Sequence, residues 1–196
     1  MSAVGRMAAC YALTGCVDPW PYVAGIGKSG EIGDYLEALQ AYLDAIGVEY
    51  FTALEVSTPS QSSQQVAAKT GADRSLYRGK FVLVLPVWLW PSMGAVVLLA
   101  DKIRRAHGAP VIMRNGVRPW WINQQVAGSG IASDHPQTAA VDLDLSQDGD
   151  AQAAHAMALE LYKLHAKDLD ISMGIGDTVV HLGVQDRKST RLNSSH

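Results

Sequence analysis

Residues 131–182 read IASDHPQTAAVDLDLSQDGDAQAAHAMALELYKLHAKDLDISMGIGDTVVHL, and this stretch decides the fold. Ile131–His135 and Ala139–Leu145 are short runs on either side of a turn at Pro136-Gln137, and both read as strands. Between Asp150 and Lys167, Ala154, Met157, Ala158, Leu161 and Leu164 recur at spacings of three and four, the period of a helix with one apolar face. Ser172–Gly176 and Val179–Leu182 read as two closing strands.

Upstream, Ile32–Ile46 has the same helical period through Tyr35, Leu36, Leu39, Tyr42, Leu43 and Ile46, with Gly47 as its stop. Phe51–Val56 reads as extended. Ser57–Gln65, with Pro59 and four serines, reads as a surface loop. Phe81–Ala100 is twenty residues without a charge, long enough to span a bilayer. Pro86 and Pro91 interrupt it, so it predicts a buried strand (Phe81–Leu85), a turn, and a helix from Ser92 to His107. Pro110–Met113 predicts a strand before the Asn115-Gly116 turn signal, and Trp121–Val126 one or two helical turns. Long helices first, then short strands with one inserted helix, predict an α+β domain.

The chain has 196 residues, is 48% hydrophobic and 18% charged, and carries a net charge of −3. This composition excludes a disordered chain. The charge leaves no footprint for nucleic acid, which is not an expected partner. Two cysteines, Cys10 and Cys16, supply neither a disulfide framework nor a Cys-rich metal site. Any metal must therefore be held by histidine and carboxylate.

The two ends need separate readings. Asp186–His196 resembles a translated short-read sequencing adapter, so the natural chain is expected to continue past Gln185 with other residues. Near the start, Arg6 precedes an apolar run from Met7 to Leu13. Leu13-Thr14-Gly15-Cys16 then resembles the lipobox of bacterial lipoproteins, in which Cys16 would be lipidated and become the first mature residue. A lipid anchor there is the one membrane contact expected; an unremarkable N-terminus containing the pattern is the alternative. The expected organisation is an N-terminal segment over 1–49, a domain over 50–185 and a non-native tail over 186–196.

Five histidines precede that tail. His107 closes a helix, where it complements the helix dipole. His155 and His165 are ten apart on one helix and cannot share a metal. His135 and His181 differ, because each lies in or beside a short strand near acidic residues. His135 precedes Asp142 by seven residues across a turn. Two ligands across a tight connection plus one distant histidine make the three-ligand, open-position arrangement of catalytic zinc; on spacing alone, chance is the favoured reading. Asp144 shares a strand face with Asp142 and reads as a rim residue or an auxiliary ligand.

The flanking residues narrow the choice. Arg118-Pro-Trp-Trp-Ile-Asn-Gln-Gln-Val-Ala-Gly-Ser129, then Ser133-Asp134-His135 and Ala139-Ala140-Val141-Asp142, resemble the YRSPxYNxxVGGxxxSxH and SxHxxGxAxD motifs of the zinc D-alanyl-D-alanine peptidases. Gly174-Ile175-Gly176 and Val180-His181-Leu182 resemble that family's closing GIG…VHxD segment. Three motifs occur in order over roughly residues 50–185. The resemblance implies a hedgehog-like α+β fold whose small antiparallel sheet carries zinc on His135, Asp142 and His181. It implies that Arg118 holds a substrate carboxylate or carbonyl and that Ser133 shapes the site near the first ligand. Asp177, four residues before His181, is the one candidate for the catalytic proton shuttle, a plain turn residue after Gly176 being the alternative. Thr138 stands where the motif has Gly, and Gly183 where many relatives carry Asp. The function implied is hydrolysis of peptidoglycan stem peptides at the cell envelope or periplasm, or by a phage lytic enzyme. A peptidoglycan-binding module on the same fold, without catalysis, is the alternative.

Overall fold

The computed structural model describes residues 3–24, 31–61, 63–65, 76–114, 116, 118 and 140–184. In chain order the elements are α1 (Ala3–Leu13), α2 (Trp20–Val23), α3 (Ile32–Ala45), α4 (Ala53–Ser57), β1 (Leu76–Tyr77), β2 (Lys80–Phe81), a 3-10 turn (Val87–Leu89), α5 (Trp90–His107), β3 (Ile112–Arg114), β4 (Ala140–Asp144), α6 (Ala151–Leu169), β5 (Ser172–Ile175) and β6 (Val179–Gly183). β1 and β2 form a two-stranded sheet, and the other four pair in the order β3-β4-β6-β5. All pairings are antiparallel. The chain is thus a mixed helix and sheet protein, as the pattern of long helices and short strands predicts.

Helix α5 is the centre of the fold. Pro91 lies in its first turn, and Gly108, at φ 71°, closes it by donating to the Arg104 carbonyl. Thirteen of its residues are buried, from Trp90 to His107, and its first half, Trp90–Ala100, carries no charge, as suits a core helix. It packs against α1, α6 and the inner face of the sheet. No helix among the described residues is long and apolar enough to cross a membrane.

The Trp90 indole donates to the Leu85 carbonyl at 3.2 Å. The Tyr35 and Tyr42 rings lie 6.2 and 5.5 Å from its own. Close approach of α3 to α5 requires glycine at position 94, where a Cβ would sit 2.8 Å from the Ile46 side chain and 3.1 Å from the Tyr42 ring.

Three expectations are corrected. Phe81–Leu85 is not a strand beyond Phe81. The Leu83 amide donates to the Ser57 carbonyl at 2.9 Å and the Leu85 amide to the Tyr35 hydroxyl at 3.1 Å. Donors committed to a helix end and a side chain cannot build a ladder. Phe51–Val56 is largely helical rather than extended, because Thr52 and Glu55 form a reciprocal capping box, a signature of a helix start. Ser57–Gln65 is not wholly a surface loop, since Ser57 and Ser63 are buried.

The boundary expected at residues 49/50 does not divide the core. One apolar cluster runs from Cys10 and Leu39 through Trp90 to Val184. The buried Asp101 carboxylate on α5 also accepts from the Glu49 and Tyr50 amides at 3.2 and 2.8 Å. Cys16 is exposed in the turn after α1, and Cys10 is fully buried. Lipoprotein-type cleavage ahead of Cys16 would therefore strip α1 from the core. The expectations for Trp121–Val126, Ile131–His135 and the tail fall outside the described residues.

Candidate metal centre

Strand alternation builds the site. Val141, Leu143, Val180 and Leu182 are buried toward the helices. Asp142 and His181 therefore project from the opposite face of the sheet. They are direct cross-strand partners on β4 and β6, and Arg114 on β3 is the partner of Asp142 on its other side.

The His181 Nδ1 and Asp142 Oδ1 atoms are 2.8 Å apart, a hydrogen-bonded pair. Arg118 Nη2 lies 3.8 Å from Asp142 Oδ2, so each carboxylate oxygen faces a different neighbour. The Asp142 and His181 side chains are 21% and 34% exposed, whereas Arg118 is 9% exposed. Burial pushes the Arg118 pKa down from its ordinary value, and the Asp142 carboxylate opposes that shift. The result is a partly open carboxylate–imidazole pair backed by a desolvated guanidinium.

Of the residues singled out from sequence, the structure brings together Arg118, Asp142 and His181. His135 and Ser133 lie outside the described residues. Asp177 is exposed in the turn between β5 and β6, which is closed by a Gly176 to Val179 backbone bond of 2.8 Å. Among the described residues no group of three metal-binding side chains converges; Asp142 and His181 provide two.

Asp144 is not a rim residue. It is 3% exposed, forms an ion pair with Arg114, and accepts from the Ser146 amide at 2.9 Å. Hydrogen bonding from Ser146, with Arg114 adding to it, holds the Asp144 pKa below the ordinary carboxylate value. Sequence reasoning missed Arg114 as its partner. The signal is a register match of Ile112 with Asp144, which cannot be read from one strand alone.

A depressed folded-state pKa means that Asp144 stabilises the fold fully above its unfolded value. That contribution is lost as pH falls through the lower folded-state value. Asp144→Asn is expected to lose about 1–2 kcal/mol at neutral pH, with the gap to the parent closing below about pH 4. Urea unfolding at pH 7 and pH 3 measures both; a gap that does not depend on pH would refute the ionic role.

Comparison with family models, curated proteins and solved structures gives no match to this chain. What the residues on β4 and β6 can do follows from their own chemistry. An anionic oxygen and an imidazole nitrogen facing each other at hydrogen-bond distance are the donor types that bind zinc. Metal binding at such a pair displaces the shared proton, and the partial exposure of both side chains leaves room for exchange.

Proposed function

We propose that this chain is a zinc peptidase that hydrolyses amide bonds in the stem peptides of bacterial peptidoglycan, on a hedgehog-like fold. The observation that supports it is the cross-strand Asp142–His181 pair with Arg118 buried behind it. In this reading His135, Asp142 and His181 hold the metal. When bound, zinc supplies Lewis-acid polarisation and an activated water near neutral pH. Arg118 holds a substrate carboxylate or carbonyl through its planar fork of donors, and burial keeps that fork fixed. Asp177 is the candidate acid–base residue. The substrate sets the site of action at the cell envelope, with Cys16 as the candidate lipid attachment point.

A second reading is a peptidoglycan-binding module on the same fold. The observation favouring it is the exposed turn position of Asp177, which leaves proton transfer to a residue that solvent surrounds. Metal analysis and mass spectrometry of stem-peptide products separate the two. Stoichiometric zinc with cleavage that stops on chelation and in His135→Ala supports the peptidase. Zinc and binding without cleavage select the module. Cleavage that survives both treatments overturns the metal reading.

A further inference from the structure

A cavity of about 790 Å³ runs along the outer edge of β3, with Val111, Met113 and Arg114 on one wall. Among the described residues β3 pairs only with β4. Among those residues it is the end strand of the sheet, the position at which strands can take up peptides. Among the described residues, Lys80, Arg104 and Arg114 line the groove with one carboxylate, Glu55.

Arg104 is the informative member. Its guanidinium lies 4.9 Å over the Phe51 ring, which fixes it in place. Its Nη1 atom is buried with no hydrogen-bond partner among the described residues. It forms an ion pair with Glu55 Oε1 at 3.6 Å, a separation beyond hydrogen-bond reach. The side chain as a whole keeps 17% exposure, so a guanidinium held in this way still presents donors to an incoming anion. Its lining includes Arg114, the cross-strand partner of Asp142, which ties the groove to the sheet that carries the candidate metal centre.

We infer that this groove is an anion-selective arm of the binding site. In it a peptide lies along β3, with one carboxylate drawn to Arg104 and Lys80. The inference rests on the peptidase reading only for where the peptide ends. Within a stem peptide the group that fits is the free α-carboxylate left by a γ-linked glutamate.

The test is fluorescence anisotropy on the full chain, chelated so that no cleavage occurs. The probes are labelled L-Ala-γ-D-Glu-L-Lys-D-Ala-D-Ala and the same peptide with the glutamate α-carboxylate converted to an amide. The acid form is expected to bind at least about 10-fold more tightly, the effect of a charge-assisted hydrogen bond. Lys80→Gln and Arg104→Gln should each weaken the acid form and leave the amide form unchanged. Arg104→Lys, which keeps the charge, should recover part of the preference. A melting curve identifies any variant that has lost its fold, in which case Lys80→Gln decides.

Equal affinity for the two peptides, or variants that weaken both alike, overturns the inference. Cleavage by the zinc-loaded protein is read separately. Cleavage without preference for the acid form overturns the groove and leaves the peptidase standing; acid preference without cleavage supports the groove and removes the peptidase.

Discussion

Asp142→Asn is expected to lose stoichiometric zinc and to lower stem-peptide cleavage by at least about 1000-fold, the scale of removing a group that acts in the transition state. The side chain faces two neighbours, and the substitution affects both. An amide presents no anionic oxygen to the position shared with His181 Nδ1 at 2.8 Å, so the donor pair loses its charge. It also removes the counter-charge 3.8 Å from Arg118, leaving that buried guanidinium without the carboxylate that offsets its desolvation. Breaking a fully buried ion pair costs about 3–5 kcal/mol. The 3.8 Å separation and partial exposure of Asp142 place the expected loss lower, at about 1–3 kcal/mol. The two effects separate in a double variant. Asp142→Asn with Arg118→Met removes the guanidinium that Asp142 faces, so part of the stability should return while zinc and cleavage do not. Double-mutant coupling is the appropriate measure, because the residues are neighbours. Full zinc occupancy and parental cleavage in Asp142→Asn would refute the assignment of the metal centre.

The helices were legible because their signal is periodic and local. Ile32–Ile46 is observed as Ile32–Ala45, and Asp150–Lys167 as Ala151–Leu169 behind an Asp150 cap. The closing strands likewise follow their apolar runs. The capping box at Thr52 and Glu55 was also present in the sequence, as a Thr followed three residues later by Glu, yet the aromatic and β-branched residues around it favour an extended reading. Pairing is a different matter. That β3 lies beside β4, and β4 beside β6, is fixed by contacts between residues about 30 to 40 apart, and no local pattern encodes them. The Asp142–His181 pair was legible only through a resemblance between motifs. Arg114 with Asp144 and the unused Nη1 donor of Arg104 needed the register and the packing.

Trp90→Ala is expected to be the most destabilising single truncation in the core. Trp90 is fully buried at the start of α5, between Tyr35 and Tyr42 of α3, and its indole N–H satisfies the Leu85 carbonyl at 3.2 Å. Truncating a buried aromatic to alanine costs about 3–5 kcal/mol in transfer and cavity terms, and the loss of paired rings adds about 0.5–1.5 kcal/mol. For a chain of this size each kcal/mol is about 2–4 °C, so the melting temperature should fall by at least about 6 °C. Trp90→Phe distinguishes the contributions. It keeps a ring against the tyrosines but leaves Leu85 without its donor, and should cost about 1–3 kcal/mol. The sheet face carrying Asp142 and His181 is built by β4 and β6, not by the start of α5, so on the proposed reading the zinc content of folded Trp90→Phe should equal the parent's. A loss under about 1 kcal/mol in Trp90→Ala, measured by urea unfolding, would show that α3 and α5 are held together by something other than this aromatic contact, with close approach at Gly94 the next feature to substitute.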